Sequence, residues 1–230
     1  MFFLHRFHRR RGRFALALLP VFCMLSLTGF AAAQTLPAPT GEETEATTAV
    51  KRADSKVKLR VQRHVMAGER AKIVGKVRPR GSRWVRIKVG GKRVKTVKTR
   101  NDGTFRITWR ARRPGVFAAN AVVQGNKRAK RARSKQQRIH AYRASHASYY
   151  GPGFYGGTTA CGRTLTTSTV GVANKTLPCG TKVVFRYRGR TVKAPVIDRG
   201  PYAAGREWDL TSALKAKLGF GSTGTVLSTK

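Results

Sequence analysis

Between Ser55 and about Arg143 the chain alternates between apolar and charged side chains with a period of two. Val57, Leu59 and Val61 alternate with Lys and Arg, and the same period returns at 73–77, 85–89 and 105–109. Turn signals separate these runs at Gly90-Gly91 and Asn101-Asp102-Gly103. A period of two predicts strands with one buried face, and no stretch in this region has helical spacing. The pattern therefore predicts an all-β fold.

About seven such strands in roughly 90 residues predict a β-sandwich over residues 55–143. The layout resembles the immunoglobulin-like domains of exported bacterial proteins, although it has no counterpart of the cysteine pair of antibody domains. This resemblance is one of architecture and rests on no sequence motif.

The charge of the chain restricts its partners more than its fold. It contains 48 Lys and Arg against 9 Asp and Glu, and residues 55–143 hold 29 of the basic residues with only Glu69 and Asp102. A dense basic run follows at 127–133. A merely solvated surface is the alternative, but the shortage of acids favours binding to a polyanion. Phosphate contacts would suit nucleic acid, yet few aromatic residues alternate outward for stacking on bases. We therefore expect anionic wall polymers, not nucleic acid.

The first 33 residues have the pattern of an export signal. Arginines crowd the start, an apolar run covers 14–30, and Ala31-Ala32-Ala33 provides a small-residue cleavage site. The alternative is an uncleaved membrane anchor. Lipidation at Cys23 is not expected, because Pro20-Val21-Phe22 does not provide the required small residues. Residues 34–54 are rich in Thr, Ala, Pro and Glu, which predicts a flexible linker. The expected location is outside the cell, in the cell wall or the periplasm.

Two cysteines, Cys161 and Cys179, remain after the signal. Two cysteines in an exported chain predict a disulfide. We expect no metal site, because there is no CxxC motif and no histidine follows His146. No cofactor is expected.

From Ala147 the composition changes, with more Gly, Thr and Tyr and only three acids: Asp198, Glu207 and Asp209. Short apolar runs predict strands at 170–173, 182–187, 191–197 and 224–228. One short helix is predicted over 209–219, with leucines on one face and Gly219 as its C-terminal cap. Five motifs follow in order: ASYYGPGF, TACG, KTLPCGT, VIDRGPY and a later DL.

These motifs over 147–230 resemble the rare lipoprotein A (RlpA)-like domain, a six-stranded double-psi β-barrel related to expansins and barwin-type proteins. The resemblance implies peptidoglycan as ligand and lytic transglycosylase activity, which cleaves the MurNAc–GlcNAc bond and forms a 1,6-anhydro sugar. It also implies that Asp198, in Asp-Arg-Gly-Pro, acts as acid and base. Enzymatic members carry an acid directly after the segment that is TACG here, whereas this chain has Arg163.

The remaining site residues are predicted from the same motifs. Arg163 is expected beside Asp198, and Asp209 is expected to cap the helix at the family's Asp-Leu position. The candidate substrate-binding residues are Tyr149, Tyr150, Thr159, Arg163, Arg199, Tyr202 and Asp209. Two other hypotheses stay open: an expansin-like wall-binding protein in which Asp198 only orients sugar, and a basic adhesin or nucleic-acid binder whose barrel is a scaffold.

Overall fold

The computed structural model describes residues 51–230, so the predicted signal peptide at 1–33 and most of the predicted linker at 34–54 lie outside the described residues. The first strands are β1 (Lys56–Val61), β2 (His64–Met66), β3 (Arg70–Arg78), β4 (Trp84–Val89), β5 (Lys92–Lys98), β6 (Thr104–Arg110), β7 (Gly115–Val123) and β8 (Ala132–Arg133). The later elements are β9 (Gln137–Tyr150), β10 (Val172–Ala173), β11 (Lys182–Tyr187), β12 (Arg190–Asp198), β13 (Trp208–Thr211), α1 (Ser212–Leu218) and β14 (Gly224–Ser228).

The N-terminal strands form two sheets around one hydrophobic core. One sheet has the order β1-β3-β6, and the facing sheet contains β5, β4, β7 and the first half of β9. The inward residues of both sheets, among them Ile73, Ile87 and Ile139, are fully buried in one cluster. The alternation in the sequence therefore corresponds to one buried face per strand. An immunoglobulin-like classification of these sheets stays a prediction.

A single long strand, β9, belongs to both parts of the molecule. Its residues 137–141 pair with β7, and its residues 143–150 pair with β14 and then β13. The boundary predicted between residues 143 and 147 thus falls inside a continuous strand. The composition of the sequence changes at this position, but the hydrogen bonds of β9 to its neighbouring strands continue across it.

The C-terminal strands close into a six-stranded barrel. Around the ring, β9 is followed by β13, β10, β12, β11 and β14, which pairs with β9 again. The pairs β9–β13 and β10–β12 are parallel, and the other four are antiparallel. The barrel core includes Phe185, Trp208 and Leu210, all fully buried. The predicted six-stranded double-psi barrel is confirmed.

The one helix of residues 51–230 is shorter than the sequence predicted. It begins after Thr211, whose side chain accepts a hydrogen bond from the Leu214 amide, and it ends at Gly219, whose φ of 63° is left-handed. Leu214 and Leu218 bury its apolar face in the barrel core. The prediction that Asp209 caps this helix is wrong, because residues 208–211 form β13 between β9 and β10. No helix of residues 51–230 is long and apolar enough to span a membrane.

Candidate active site

Asp198 and Asp209 lie in one row of residues that crosses the barrel wall. Ala173 of β10 is paired with Asp198 of β12 on one side and with Asp209 of β13 on the other. Ser148 of β9 continues the row as the partner of Asp209. Since adjacent strands are about 4.8 Å apart, the Cα atoms of the two aspartates are roughly 10 Å apart. Only the methyl group of Ala173 lies between them, which leaves an open space between two carboxyl groups.

A β-bulge directs Asp198 away from the barrel core. Val172 is paired with Val196, but the next residue, Ala173, is paired with Asp198, so that Ile197 is the extra residue. Val172 and Val196 belong to the core cluster, whereas Ala173 does not. Bulges of this kind redirect a side chain next to functional sites. Regular pairing would have placed Asp198 on the same face as Val196.

Ile197 can occupy the bulge because residue 171 is a glycine. A Cβ atom at Gly171 would lie 2.5 Å from Ile197 Cδ1, closer than two carbon atoms can approach. Ile197 is almost completely buried. The packing of Ile197 over Gly171 therefore fixes the bulge that positions Asp198.

Asp198 is held through one of its two carboxylate oxygens. Its Oδ1 atom accepts hydrogen bonds from the backbone amides of Ala160, at 2.9 Å, and of Arg199, at 2.8 Å. Within residues 51–230 no backbone amide donates to Oδ2, and the Tyr150 hydroxyl lies close enough to the Asp198 carboxylate that, besides burial, their interaction raises the pKa of Tyr150. The carboxylate is therefore oriented by the loop before it and by the turn after it.

Asp209 faces the same space because it alternates with core residues. Trp208 and Leu210, on either side of it in β13, are both fully buried in the barrel core. Its Oδ1 atom accepts a hydrogen bond of 2.9 Å from the Ser148 hydroxyl. Asp209 thus provides a second carboxyl group in the site, whereas the sequence predicts that it caps the helix.

Tyr150 lies in the site, whereas Tyr149 does not. The two tyrosines are neighbours in β9 and point to opposite faces, so Tyr149 packs against the barrel core with Lys215 Nζ 3.6 Å from its ring centroid. The prediction that both tyrosines line the groove is corrected by this alternation. The Tyr150 hydroxyl is buried with no hydrogen bond of 3.5 Å or less among the described residues, Asp198 is the side chain that interacts with it, and its ring makes an edge contact with Phe154.

Burial and mutual repulsion alter the acidity of the site. Burial is the main cause that raises the pKa of the Asp209 carboxyl, and the charge of Asp198 acts in the same direction. The hydrogen bond from Ser148 and the charge of Arg206 oppose this increase in pKa. Burial, followed by the charges of the two aspartates, also raises the pKa of the Tyr150 hydroxyl. Asp209 therefore holds a proton more readily than an aspartate in water, and Tyr150 stays neutral.

These residues line one open cleft of about 290 Å³. Its lining consists of Tyr150, Phe154, Ala173, Asp198, Arg199, Gly200, Pro201, Tyr202, Ala203, Arg206 and Asp209. Tyr202 is 80% exposed at the rim, so its ring is free to lie against a sugar. Two carboxyl groups at the base, aromatic rings at the side and two arginines form a site suited to a polar, ring-shaped ligand.

Thr159 and Arg163 belong to the loop beside the cleft and do not line it. The Thr159 hydroxyl accepts a hydrogen bond from the Arg163 amide at 3.2 Å and holds the loop closed. The Arg163 side chain is exposed, and among residues 51–230 it forms no ion pair with Asp198. The expected interaction between Arg163 and Asp198 is therefore not found. The loop contacts Asp198 through the Ala160 amide, which donates to Oδ1.

A disulfide between Cys161 and Cys179 holds this loop in place, as the sequence predicted. The Cys161 amide also donates to the Ile197 carbonyl, next to the bulge. Because Ala160 directly precedes Cys161, the disulfide fixes the segment that hydrogen-bonds Asp198.

The guanidinium group of Arg199 points mainly at backbone carbonyls. Its Nη1 atom donates to the carbonyls of Leu177, at 2.9 Å, and Asn174, at 3.2 Å, and its Nη2 atom donates to Cys179 Sγ. Glu207, the third acid of the barrel, forms an ion pair with Arg143 and does not line the cleft. The site therefore contains two of the three barrel acids.

Sequence reasoning did not identify Ala173 and Arg206, which line the cleft, Ser148, which hydrogen-bonds Asp209, or Asn174, whose carbonyl accepts from Arg199. Ser148 could have been found, because it lies two positions before Tyr150 and must share its face in a strand. Asn174 is buried and its Oδ1 atom accepts from the amides of Thr176 and Leu177, a turn that the sequence Asn-Lys-Thr-Leu allows. Arg206 lies in an irregular loop, and no pattern in the sequence indicates it.

Comparison with known proteins assigns the barrel to a family. Residues 142–227 match the protein-family model described as "Lytic transglycolase". The chain is similar to "Probable endolytic peptidoglycan transglycosylase RlpA" of Synechocystis sp., with 40% identity over 80 residues, 34% of this chain and 25% of that protein. It is also similar to "Endolytic peptidoglycan transglycosylase RlpA" of Pseudomonas aeruginosa, with 41% identity over 88 residues, 37% of this chain and 26% of that protein.

The chain thus spans about a quarter of the length of these relatives. Among solved structures, the Streptomyces papain inhibitor aligns over 38% of this chain and 92% of its own, with 25% identity and a TM-score of 0.31. The family match covers the strands of the six-stranded barrel and both of its aspartates, Asp198 and Asp209. Residues 142–227 of this chain are an RlpA-like double-psi β-barrel domain.

Proposed function

We propose that the barrel cleaves the glycan strands of peptidoglycan as a lytic transglycosylase, with Asp198 in the catalytic role. The observation that carries the proposal is the pair of carboxyl groups, Asp198 and Asp209, on one row of an open cleft. The family description and the printed names of the relatives support the same activity. An envelope location and export follow from this substrate.

The reaction needs one proton to be given and one to be taken. The bond between C1 of MurNAc and the oxygen of the next GlcNAc breaks, and that oxygen gains a proton. The 6-hydroxyl of the same MurNAc loses its proton and bonds to C1, which gives the 1,6-anhydro product without consuming water. A carboxyl group and a carboxylate on opposite sides of the sugar are sufficient for both transfers.

The two aspartates divide this work. Asp209, whose pKa is raised by burial, donates the proton to the leaving oxygen. Asp198, whose Oδ1 is held by two backbone amides, takes the proton from the 6-hydroxyl. The neutral Tyr150 hydroxyl, buried beside the Asp198 carboxylate, helps to orient Asp198. Tyr202 stacks on a sugar ring at the rim and Arg206 lies along the strand of sugars, whereas Arg199 holds the turn through the carbonyls of Asn174 and Leu177.

The proposal extends to the organisation of the whole chain. A signal at 1–33 would export it, residues 34–54 would act as a spacer, and the basic sandwich of residues 55–143 would bind anionic wall polymers. The barrel of residues 147–230 would then act on glycan close to the point of attachment. A charge of 29 basic residues against two acids in the sandwich supports this division.

The test is digestion of purified peptidoglycan by the wild type and by Asp198→Asn, with the products analysed by mass spectrometry. Asparagine retains an Oδ1 atom that can accept from Ala160 and Arg199, so the fold should be preserved. We expect 1,6-anhydromuropeptides from the wild type, and release from the variant that is slower by at least about 10². Tyr149→Phe is the matched control, because residue 149 lies on the opposite face of the strand that carries Tyr150.

Binding to peptidoglycan without any anhydro product from the wild type would overturn the enzymatic proposal. It would assign the barrel to the non-catalytic, expansin-like alternative. If Asp198→Asn released anhydro products at the wild-type rate, the proposed activity would stand, but Asp198 would not be its catalytic residue.

A further inference from the structure

The outer face of the sheet β1-β3-β6 carries nine exposed basic residues, which we call the basic face. They alternate with the buried core residues of their strands, so all nine point to the same side of the sheet. They are Lys56, Lys58, Arg60, Arg70, Lys72, Lys76, Arg78, Arg106 and Arg110. The other outward positions within these strands are Val74, Thr104 and Thr108. No acid lies within any of the three strands.

Three pairs of like charges face each other directly across the strands of this face. Lys56 is paired with Arg78, Lys58 with Lys76, and Arg70 with Arg110. Like charges in directly opposed positions destabilise a sheet. An arrangement that costs stability in the free protein indicates that the charges serve a partner that neutralises them.

The two nearby acids, Glu69 and Asp102, each accept hydrogen bonds within their own turn, although Asp102 also lines the groove described below. The Glu69 side chain accepts from the Met66 amide, and Asp102 accepts from both the amide and the hydroxyl of Thr104. Neither forms a salt bridge with a residue of the basic face within residues 51–230. By contrast, the basic run at 127–133, which the sequence emphasised, contains Lys130, whose Nζ lies 3.0 Å from Asp54 Oδ1. Among residues 51–230, the basic face therefore holds more basic side chains without an acidic partner than the run at 127–133 does.

A groove of about 580 Å³ runs over the centre of the basic face. Four residues of the face, Lys58, Arg60, Lys76 and Arg106, line it together with Arg100, and the one acid in its lining is Asp102. Along a strand, side chains on one face repeat about every 6.7 Å, and across strands about every 4.8 Å. The groove thus offers regularly spaced cations to an extended, flexible chain of anions.

From this geometry we propose that the basic face binds a linear phosphodiester polymer that lacks bases, of the polyol-phosphate kind. Five of the nine residues are arginines, whose planar forks suit phosphate oxygens. No aromatic side chain points outward from the three strands, so single-stranded nucleic acid would find nothing on which its bases could stack. The face is a sheet surface without a projecting element to enter a duplex groove. The inference that this polymer belongs to a cell wall rests on the proposed function; the binding itself does not.

The test uses the full chain and a soluble, end-labelled poly(glycerol phosphate), with affinity measured by fluorescence anisotropy at several salt concentrations. The variant Lys58→Gln/Lys76→Gln/Arg106→Gln removes three charges from the groove. Each phosphate contact contributes about 0.7 to the salt slope of a single-stranded polyanion, so we expect roughly 50-fold weaker binding at 0.15 M salt and a slope lower by about 2. Its melting temperature should equal or exceed that of the wild type, because it relieves the repulsion between residues 58 and 76.

The matched control is Lys92→Gln/Lys95→Gln/Lys98→Gln, which removes the same charge from three exposed positions on β5 in the other sheet. We expect its affinity for poly(glycerol phosphate) to fall by less than about threefold, because these positions make no phosphate contact. An equal loss in both triple variants would overturn the proposal in favour of attraction by net charge alone.

Two other polymers test the chemistry of the ligand. Tighter binding of oligo-dT than of poly(glycerol phosphate) would assign the face to nucleic acid, and tighter binding of polygalacturonate would assign it to carboxylate polymers; either result overturns the proposal. Asp198→Asn should bind poly(glycerol phosphate) as the wild type does, because the probe contains no glycan. An inactive barrel would therefore leave this result unchanged, and a non-binding face would leave cleavage of polymer-free peptidoglycan unchanged.

Discussion

The sandwich and the barrel use the same property of β-strands in opposite ways. In both, one face of each strand is buried and the other is available to a ligand. The barrel exposes few charged groups in its cleft, and each is individually positioned, as Asp198 is by two amides and Asp209 by Ser148. The basic face of the sandwich exposes nine cations, and none of them is held by an acid. A reaction needs a few groups in exact places, whereas attraction to a polymer needs many interchangeable ones.

This difference predicts unequal sensitivity to single substitutions, which is the largest effect expected. Asp198→Asn should reduce the rate of anhydromuropeptide release by about 10² to 10⁴, the range of general acid–base catalysis. Lys58→Gln alone should weaken polymer binding only about fourfold at 0.15 M salt. The rate is measured on polymer-free peptidoglycan and the affinity on poly(glycerol phosphate). A single basic-face substitution that abolishes binding would contradict the idea of interchangeable charges.

The pattern of strands could be predicted from the sequence because alternation is a local property. The six-stranded barrel and the disulfide were likewise predicted from motifs and cysteines. The sequence predicts a helix start that is too early, because Leu210 lies four residues before Leu214, as in a helix. Residues 209–211 pair with β9 and β10 instead. The row that joins Asp198, Ala173 and Asp209 could not be predicted, because it depends on a bulge and on the packing of Ile197 over Gly171. The bulge depends on contacts between residues far apart in the chain.

Removal of the disulfide tests whether the two regions are separate in stability. With a sequence separation of 18, its loss should lower the free energy of unfolding of the barrel by about 3 kcal/mol. Cys161→Ser/Cys179→Ser, labelled with 5-fluorotryptophan, can be unfolded in urea and followed by ¹⁹F NMR. Trp208 reports the barrel, and Trp84 and Trp109 report the sandwich. We expect the Trp208 signal to lose its native position first.

A simultaneous loss of all three tryptophan signals would show that strand β9 couples the regions into one cooperative unit. The control is the reduced and re-oxidised wild type, which should regain the original midpoint. A simultaneous loss would mean that the sandwich and the barrel do not differ in stability, although they would still differ in the ligands they bind.

The acidity of Asp209 can be shifted without altering its carboxyl group. The hydrogen bond from Ser148 lowers the pKa of Asp209 against the effect of burial. In Ser148→Ala that pKa should rise further, because the hydrogen bond that favours the charged carboxylate is lost. Because Asp209 acts as the proton donor, the alkaline limb of the pH–rate profile should move to higher pH. Ser145→Ala is the control, since Ser145 lies on the same strand but hydrogen-bonds Ser228. An unchanged alkaline limb in Ser148→Ala would indicate that Asp209 is not the donor.

The smallest expected effect lies where the two regions meet on β9. His64 Nδ1 lies 2.9 Å from the Tyr142 hydroxyl, and His140 Nδ1 lies 3.3 Å from the same oxygen. Burial is the main cause that lowers the pKa of both histidines below 6.5. The charge of His64 lowers the pKa of His140 further, and nearby arginines lower the pKa of both rings. The unfolded chain therefore binds more protons than the folded one as the pH falls below 6.5. The stability that the neutral rings provide is complete above that pH and is lost as the pH falls through the lowered values.

The melting temperature should accordingly fall between pH 7.5 and pH 5, and the decrease should be smaller in His64→Gln/His140→Gln. If the decrease were as large in this double variant, the acid sensitivity would belong to other groups, and the junction would contribute nothing specific to the pH dependence.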